Sequence, residues 1–391
     1  MAEKKEIYAH LGLRGIAAVS VLFSHAIGYY RFLGNPLLPA FPFTEIFQQF
    51  GSWAIEAVAL FFVLSGFIFA YLYGGRQVNW REFFASRFAR IYPLYAVTGI
   101  VAFCLPATNG PLLADGPPCS YPISDVLINA LMLQDWKLHM PWPSMNPPAW
   151  SLSVEFFFYL ILFPALLVAS RSRMRNVFLV AAILITAYSG PAPNFWRFAR
   201  WPALFTTGFA ICDWVKSNGV RDWKGLLGLG TAAVAVFAIF QESFRWMLIP
   251  AFVPLVYFTS DNSHPLARFL SLRPFVFLGT ISYSLYLWHM PVLIGTTLFR
   301  HTFFPVRAPA STDPARIFYD ILTVVVVFLV STLSYYLFED PMRKWLRAKL
   351  GSARRDFEER VSDDSKIRES VEVSDRNAVV SVRHDHRLRS S

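Results

Sequence analysis

The sequence predicts an all-α integral membrane protein with about ten transmembrane helices and both termini in the cytoplasm. Three observations carry that prediction. Hydrophobic residues make up 55% of the chain and charged residues only 16%. The apolar residues are gathered into long runs, unlike the short alternating segments of a soluble sheet protein. Basic residues collect in every second connection between those runs, the pattern expected from the positive-inside rule.

Runs of roughly 15 to 25 apolar residues lie near 8–30, 52–73, 91–106, 148–169, 176–190, 202–215, 225–240, 247–260, 275–299 and 317–338. The spans at 202–215 and 247–260 are short and interrupted by Pro202, Pro250 and Pro254. Basic residues from Lys4 and Lys5 through Arg76, Arg81, Arg87 and Arg90 to Arg343, Lys344 and Arg347 fall on one side, which is therefore cytoplasmic. The first span carries Arg14 and runs on into Tyr29, Tyr30 and Arg31 without a small-residue cleavage site, so it is expected to stay as a signal anchor. Residues 1–350 form the transmembrane domain. From Gly351 the composition turns to Ser, Arg, Asp and Glu, and 351–391 reads as a disordered charged cytoplasmic tail.

The net charge of +10 follows from the cytoplasmic loops and tail, so it describes topology and contact with lipid headgroups. No separate basic domain exists on which a nucleic-acid partner could be based. The three cysteines, Cys104, Cys119 and Cys212, lack CxxC spacing, so no metal or redox site is expected. A structural disulfide is not expected either, although Cys104 and Cys119 could both approach the outer side.

Polar groups inside apolar spans point to chemistry, because a bilayer makes them costly. Arg14 and His25 share the first span. Their spacing of 11 positions is close to three helical turns, which puts both side chains on one face about 16 Å apart along the axis. A charge near one membrane surface and a titratable base nearer the other would result. A snorkelling arginine and a histidine satisfied by a neighbouring helix would leave the same residues. Glu56 stands near the outer end of the second span, either at the interface or facing a polar cavity. Arg87 and Arg90, three apart, share a helix face and could clamp a polyanion from the cytoplasm, or serve only as topogenic charge.

Trp150, Ser151 and Glu155 open the fourth span. Ser151 and Glu155 are one turn apart, and a glutamate at that depth needs a partner. Trp150 can stack on a sugar ring or belong to an interfacial aromatic belt. In the ninth span Ser282, Tyr286 and His289 stand at i, i+4 and i+7, a single polar stripe. His289 falls in the middle or outer half of that span, where it could meet His25 and Glu155 or be an ordinary core histidine.

Six motifs then fall in order: Arg14 to His25, Phe61-Phe62-x-x-Ser65-Gly66, Arg87-x-x-Arg90-Ile91-Tyr92-Pro93, Trp150-Ser151-Leu152-x-x-Glu155, Ser282-Tyr283-x-x-Tyr286-x-x-His289 and Phe338-Glu339-x-Pro341. In these the chain resembles the acyltransferase 3 family of integral membrane acyltransferases. The resemblance implies a ten-helix enzyme of the bacterial inner membrane. Such an enzyme moves an acyl group, usually acetyl, from cytoplasmic acyl-coenzyme A to a hydroxyl on a cell-envelope carbohydrate such as exopolysaccharide or O-antigen. Some family members acylate small molecules instead. By the same analogy His25 is the catalytic base, Arg14 supports the donor, and Arg87 with Arg90 hold the phosphates of coenzyme A. Glu155 would orient the imidazole or the acceptor; Glu56, Trp150, Ser151, Tyr286 and His289 are candidates for acceptor binding. Many relatives carry an acid two positions before the paired phenylalanines, where this chain has Ala59, with Glu56 three residues earlier. An appended SGNH-type domain is not expected, so the chain reads as a stand-alone transferase.

Direct attack of the acceptor hydroxyl on the thioester is expected over a covalent acyl-histidine, since no Ser or Cys nucleophile is visibly paired with a base. A different class, a transporter or flippase for a glycosylated or acylated lipid, would also use intramembrane His, Arg and Glu. A regulatory module that senses acyl-coenzyme A without turnover is a third. Coenzyme A binding separates the transporter from the others, and transfer assays separate the sensor from the enzyme.

Overall fold

The computed structural model describes residues 7–32, 53–105, 122–136, 144–169, 194–219, 248–303 and 314–350. Among these the regular structure is entirely helical. The helices are α1 (Tyr8–Phe32), α2 (Ala54–Tyr73), α3 (Trp80–Cys104), α4 (Ile123–Ala130), α5 (Trp150–Phe157), α6 (Phe163–Ala169), α7 (Asn194–Asn218), α8 (Leu248–Thr259), α9 (Pro265–Leu270), α10 (Arg273–Thr280), α11 (Ser282–Phe303) and α12 (Pro314–Ser334).

By length and hydropathy, four helical stretches among the described residues can cross a membrane: Tyr8–Ile27, Ala54–Tyr73, Pro147–Ala169 and Phe318–Leu350. A fifth forms if α10 and the first part of α11, bent by 64° at their junction, count as one broken span. The remaining expected spans divide in two groups. Those at 91–106, 202–215 and 247–260 are helical but fall short: α3 carries Arg81, Glu82, Arg87 and Arg90 in its first half, α7 carries Arg197, Arg200, Asp213 and Lys216, and α8 has only 12 residues. Those at 176–190 and 225–240, the two termini and the tail 351–391 lie outside the described residues.

Proline shapes two of the spans. A proline has no N–H to give to the carbonyl four residues back and its ring crowds that carbonyl, which kinks, widens or breaks the helix there. A π turn at Phe158–Leu162 precedes Pro164 and joins α5 to α6; another at Tyr335–Glu339 precedes Pro341 and carries α12 into the helical segment 340–350.

Two compact units result. Of the described residues, the larger holds those within 7–78 and 92–339; the smaller holds 79–91 with 340–350. In the smaller unit Asp340 pairs with Arg343 and, at 2.6 Å, with Lys344.

Within the larger unit the helices meet through glycine. A Cβ on Gly66 of α2 would strike the carbonyl oxygen of Phe205 in α7, and one on Gly208 of α7 would strike that of Val63 in α2. The same reciprocity joins α1 to α10: a Cβ on Gly15 would lie 2.6 Å from the nitrogen of Gly279, and one on Gly279 would meet the carbonyl of Leu11. With no hydrophobic drive between helices in lipid, such backbone approach is a main source of association. Beside the α2–α7 seam, Phe69 packs its ring 5.0 Å from Phe163 and 5.5 Å from Phe205. Gly208→Leu must push α7 off α2. We expect it to destabilise the protein by about 1–3 kcal/mol or more, read as a lower melting temperature and less monodisperse protein after detergent extraction; an unchanged melting temperature would contradict this seam.

Candidate active site

α1 carries His25 and α11 carries His289, 264 positions away in the chain. Their imidazoles lie with Nε2 of His289 2.9 Å from Nδ1 of His25. The rings stack nearly parallel, 4.9 Å between centroids with 18° between planes. His289 is fully buried, and its Nδ1 is 3.3 Å from the carbonyl oxygen of Leu285. A carbonyl can only accept, so Nδ1 of His289 holds the proton. A neutral imidazole has one donor and one acceptor nitrogen, so Nε2 of His289 accepts from Nδ1–H of His25. Nε2 of His25 is then left with a lone pair. On this pattern His25 carries its proton on Nδ1, and Nε2 is the nitrogen able to accept one.

Linked to this pair through Tyr286 is a small cavity of about 50 Å³ lined by residues of α1, α2, α5 and α11, among them Arg14, Phe61, Ser65, Ser151, Glu155 and Ser282. Its volume is about two water molecules' share of liquid, room for a few heavy atoms. The guanidinium of Arg14 lies 5.9 Å from the Phe61 ring centroid, close enough for a cation–π contact. The Tyr286 hydroxyl donates to the carbonyl of Pro148 at 2.8 Å, which leaves Ser151 Oγ as the donor in their 2.7 Å contact. The Tyr286 ring in turn stands edge-on to His289, 6.0 Å between centroids. Glu155 accepts a hydrogen bond from Tyr159, one turn later on the same face, so the intramembrane carboxylate has its partner.

The break before α11 positions much of this. Ser282 Oγ donates to the carbonyl of Gly279 at 2.7 Å across the bend, and Tyr283 joins Ser282 in the cavity wall. Below it Ser284 donates to Glu339 of the π turn at 2.6 Å, and Trp288 donates to Ser334 of α12 at 2.8 Å, so the helix bearing His289 is anchored on its far side.

The structure therefore joins His25 to His289, and Arg14 to Ser151, Glu155 and Tyr286, with the Tyr286–His289 contact linking the two groups. Glu56 is buried near the start of α2, where the cavity wall is formed instead by Val58 and Phe61. Trp150 packs its ring 5.2 Å from Trp201, which also meets the Phe62 ring at 5.4 Å and the Arg200 guanidinium at 4.2 Å. Arg87 and Arg90 belong to the smaller unit. Arg87 is buried there with its guanidinium 5.8 Å from the Phe83 ring, and Arg90 is half-buried.

Two residues escaped the sequence reading. His10, one turn before Arg14, is buried and reaches the carbonyl of Val256 at 3.1 Å, tying α1 to α8. Asn146 donates from Nδ2 to the carbonyl of Leu287 at 2.9 Å, fixing the entry to α5 against the helix that bears His289. His10 could have been read from its i, i+4 relation to Arg14; Asn146 sits in a proline-rich loop with no periodicity to mark it. Among the described residues no cluster of His, Cys, Asp and Glu is arranged to hold a metal ion.

The described helices thus bring two imidazoles into hydrogen-bond contact, linked through Tyr286 to a small cavity that holds Arg14 and Glu155 in its wall. The chain belongs to the Acyl_transf_3 family, whose Acyltransferase domain profile matches residues 11–338. It is similar to the peptidoglycan O-acetyltransferase OatA of Listeria monocytogenes serovar 1/2a, at 26% identity over 340 residues covering 75% of this chain and 52% of the relative. The O-acetyltransferase OatA of Staphylococcus aureus strain NCTC 8325 is 24% identical over 336 residues, 76% of this chain and 54% of the relative. The acyltransferase MdmB of Streptomyces mycarofaciens is 33% identical over a shorter stretch of 166 residues, 38% of this chain and 36% of the relative. The chain spans about half the length of the OatA relatives it matches. No solved structure matches it.

Proposed function

We propose that this chain is a membrane O-acetyltransferase that moves an acetyl group from cytoplasmic acyl-coenzyme A to a hydroxyl of a cell-envelope carbohydrate. The observation that carries this reading is the hydrogen bond between Nδ1 of His25 and Nε2 of His289, with His25 as donor, which leaves Nε2 of His25 to take a proton. In the step we infer, Nε2 of His25 removes the acceptor hydroxyl proton as that oxygen bonds to the thioester carbon. The C–S bond then breaks, and the leaving thiolate of coenzyme A takes the proton back from His25. Every electron pair is accounted for with no covalent enzyme intermediate. Arg14, about 16 Å from His25 along the axis of α1, is assigned to the extended arm of the donor that passes it on the way to His25.

Arg87 and Arg90 are assigned to the donor. Two guanidiniums on one helix face present forked N–H groups that match the phosphate groups of coenzyme A. The reading further places the protein in the bacterial inner (cell) membrane with ten spans and both termini in the cytoplasm. A reporter fused to the C-terminus that scored as external would overturn that orientation.

The test of the reaction is transfer of radiolabelled acetyl from acetyl-coenzyme A into the envelope carbohydrate fraction by membranes with and without the protein. Protein-dependent label supports the reading; its absence, with no binding of coenzyme A by the same membranes, removes it in favour of lipid transport. In the same assay Arg87→Ala with Arg90→Ala should raise the KM for the donor about 10-fold or more, as expected when charge-assisted phosphate contacts worth about 1.5–3 kcal/mol each are lost. An unchanged donor KM would reduce both arginines to topogenic charge.

A further inference from the structure

α11 carries a proline two residues beyond His289. Pro291 has no N–H, so the carbonyl four positions back, that of Leu287, lacks the bond a regular helix would give it. Within a membrane domain a freed carbonyl has little water to turn to and takes another donor. The donor here comes from outside the helix: Nδ2 of Asn146 bonds the Leu287 oxygen at 2.9 Å, from 141 positions away in the chain. The turn from Leu287 to Pro291, with His289 at its centre, is therefore closed by a side chain of the loop before α5 in place of its own backbone.

Three observations bear on what this bond does. First, it is the only hydrogen bond of the Asn146 side chain among the described residues. Asn146 is buried and its Oδ1 has no partner there, a penalty that an apolar side chain would avoid. The amide is matched to the Leu287 oxygen and to nothing else. Second, the loop that carries it is held from the opposite side. Asn129 Oδ1 accepts from the Met145 N–H at 3.0 Å, Gln134 Nε2 donates to the Ala149 carbonyl at 3.1 Å, and the Tyr95 hydroxyl donates to the Asn129 carbonyl at 2.6 Å. Asn129 and Gln134 are buried, so the donor at Asn146 stands on a fixed base. Third, the neighbouring residue of α11 is tied to the same loop, through the Tyr286 hydroxyl and the Pro148 carbonyl at 2.8 Å. Two consecutive residues of α11 are thus fastened just before His289.

We propose that Asn146 is a positioning residue for the pair of imidazoles: by supplying the donor that Pro291 withholds, it sets the turn that carries His289, and with it the contact between Nε2 of His289 and Nδ1 of His25. Its part in turnover rests on the transferase reading; its hold on the pair does not. Asn146 is not a catalytic residue, because Nδ2 is committed to Leu287 and Oδ1 is sealed from solvent, so neither atom meets a substrate. Without the amide the Leu287 carbonyl must turn toward another donor. That change in the turn is passed to an imidazole held by a bond of 2.9 Å.

The experiment is a set of double-mutant cycles in acetyl transfer by the full-length protein, read beside nitrogen NMR of histidine-labelled protein in lipid nanodiscs. The ring signals of the pair are assigned by their loss in His25→Ala and His289→Leu. Asn146→Leu should lower kcat by about 10-fold, the lower end of what a partner that orients a functional imidazole contributes, while both KM values hold. It should also shift the ring-nitrogen signals of the pair. Pro291→Ala gives α11 its own N–H for Leu287, so in that background Asn146→Leu should cost less than about two-fold, the usual error of additivity, and leave the signals in place. In a His289→Leu background it should likewise add nothing, because the route to His25 is already cut. If Asn146→Leu does not fold, Asn146→Ala, which removes the same donor without adding bulk, takes its place in every comparison. Losses that simply add in both backgrounds, or ring signals indifferent to Asn146→Leu, reduce the residue to a structural contact and overturn the proposal. Membranes that transfer no acetyl would remove the transferase reading alone; the ring signals, with and without Pro291→Ala, then decide whether Asn146 holds the pair.

Discussion

An inserted, monodisperse His25→Ala protein is expected to lose acetyl transfer by a factor of about 10²–10⁴, the usual contribution of a positioned general base. The structural cost should be smaller. His25 is half-buried and its removal leaves one acceptor nitrogen, Nε2 of His289, unmatched, about 1–3 kcal/mol in a membrane domain of many helices. Loss of activity therefore need not bring loss of fold, and added imidazole, which can enter the vacated volume, should restore part of the rate. Near-normal turnover in a well-expressed His25→Ala variant would sink the mechanism, whatever the acceptor proves to be.

The second large effect belongs to His289, whose place is one step removed. In the proposed mechanism it touches His25, not the reacting atoms, and acts by keeping the proton on Nδ1 of His25 so that Nε2 stays bare. Partners that fix a functional imidazole in this way typically contribute 10–100-fold, so His289→Leu should lower kcat by about that factor while the KM values for donor and acceptor hold. His289→Gln separates orientation from mere packing. The amide oxygen of glutamine can accept from Nδ1–H of His25, and this variant should recover much of the rate that leucine loses. Equal damage from both, or a rise in acceptor KM, would return His289 to the substrate-binding role that the sequence alone suggests.

Much of the helical membrane character was legible because it rests on additive quantities: the long apolar runs around α1, α2, α5–α6, α11 and α12 reappear as helices. Spans whose apolar stretch is cut short by charge, such as those in α3 and α7, were harder, since a window sees arginine but not the helix that continues through it. Polar stripes were legible on single helices. The Ser282, Tyr286 and His289 stripe and the Ser151–Glu155 pair face the region the periodicity assigns to them, because position on a helix face is local geometry. What joins one helix to another was not. The pairing of His25 with His289 depends on glycine-to-backbone approaches between α1 and α10 that no single segment reveals. Pro291 is plain in the sequence of α11; the amide that bonds the carbonyl it frees, 141 positions before Leu287, is not.

The 64° bend between α10 and α11 makes the second helix a lever arm. α10 is clamped to α1 by Gly15 and Gly279, while His289 stands seven residues beyond the pivot at Ser282, about 10 Å along the axis. At that radius a rotation of about 6° shifts the imidazole by about 1 Å, enough to break a hydrogen bond of ordinary length and, by the usual sensitivity of catalysis to position, to lower the rate by up to about 100-fold. The fulcrum and the load thus share one tolerance: a methyl group at Gly279, which would strike the carbonyl of Leu11, reaches His289 through the angle of the bend.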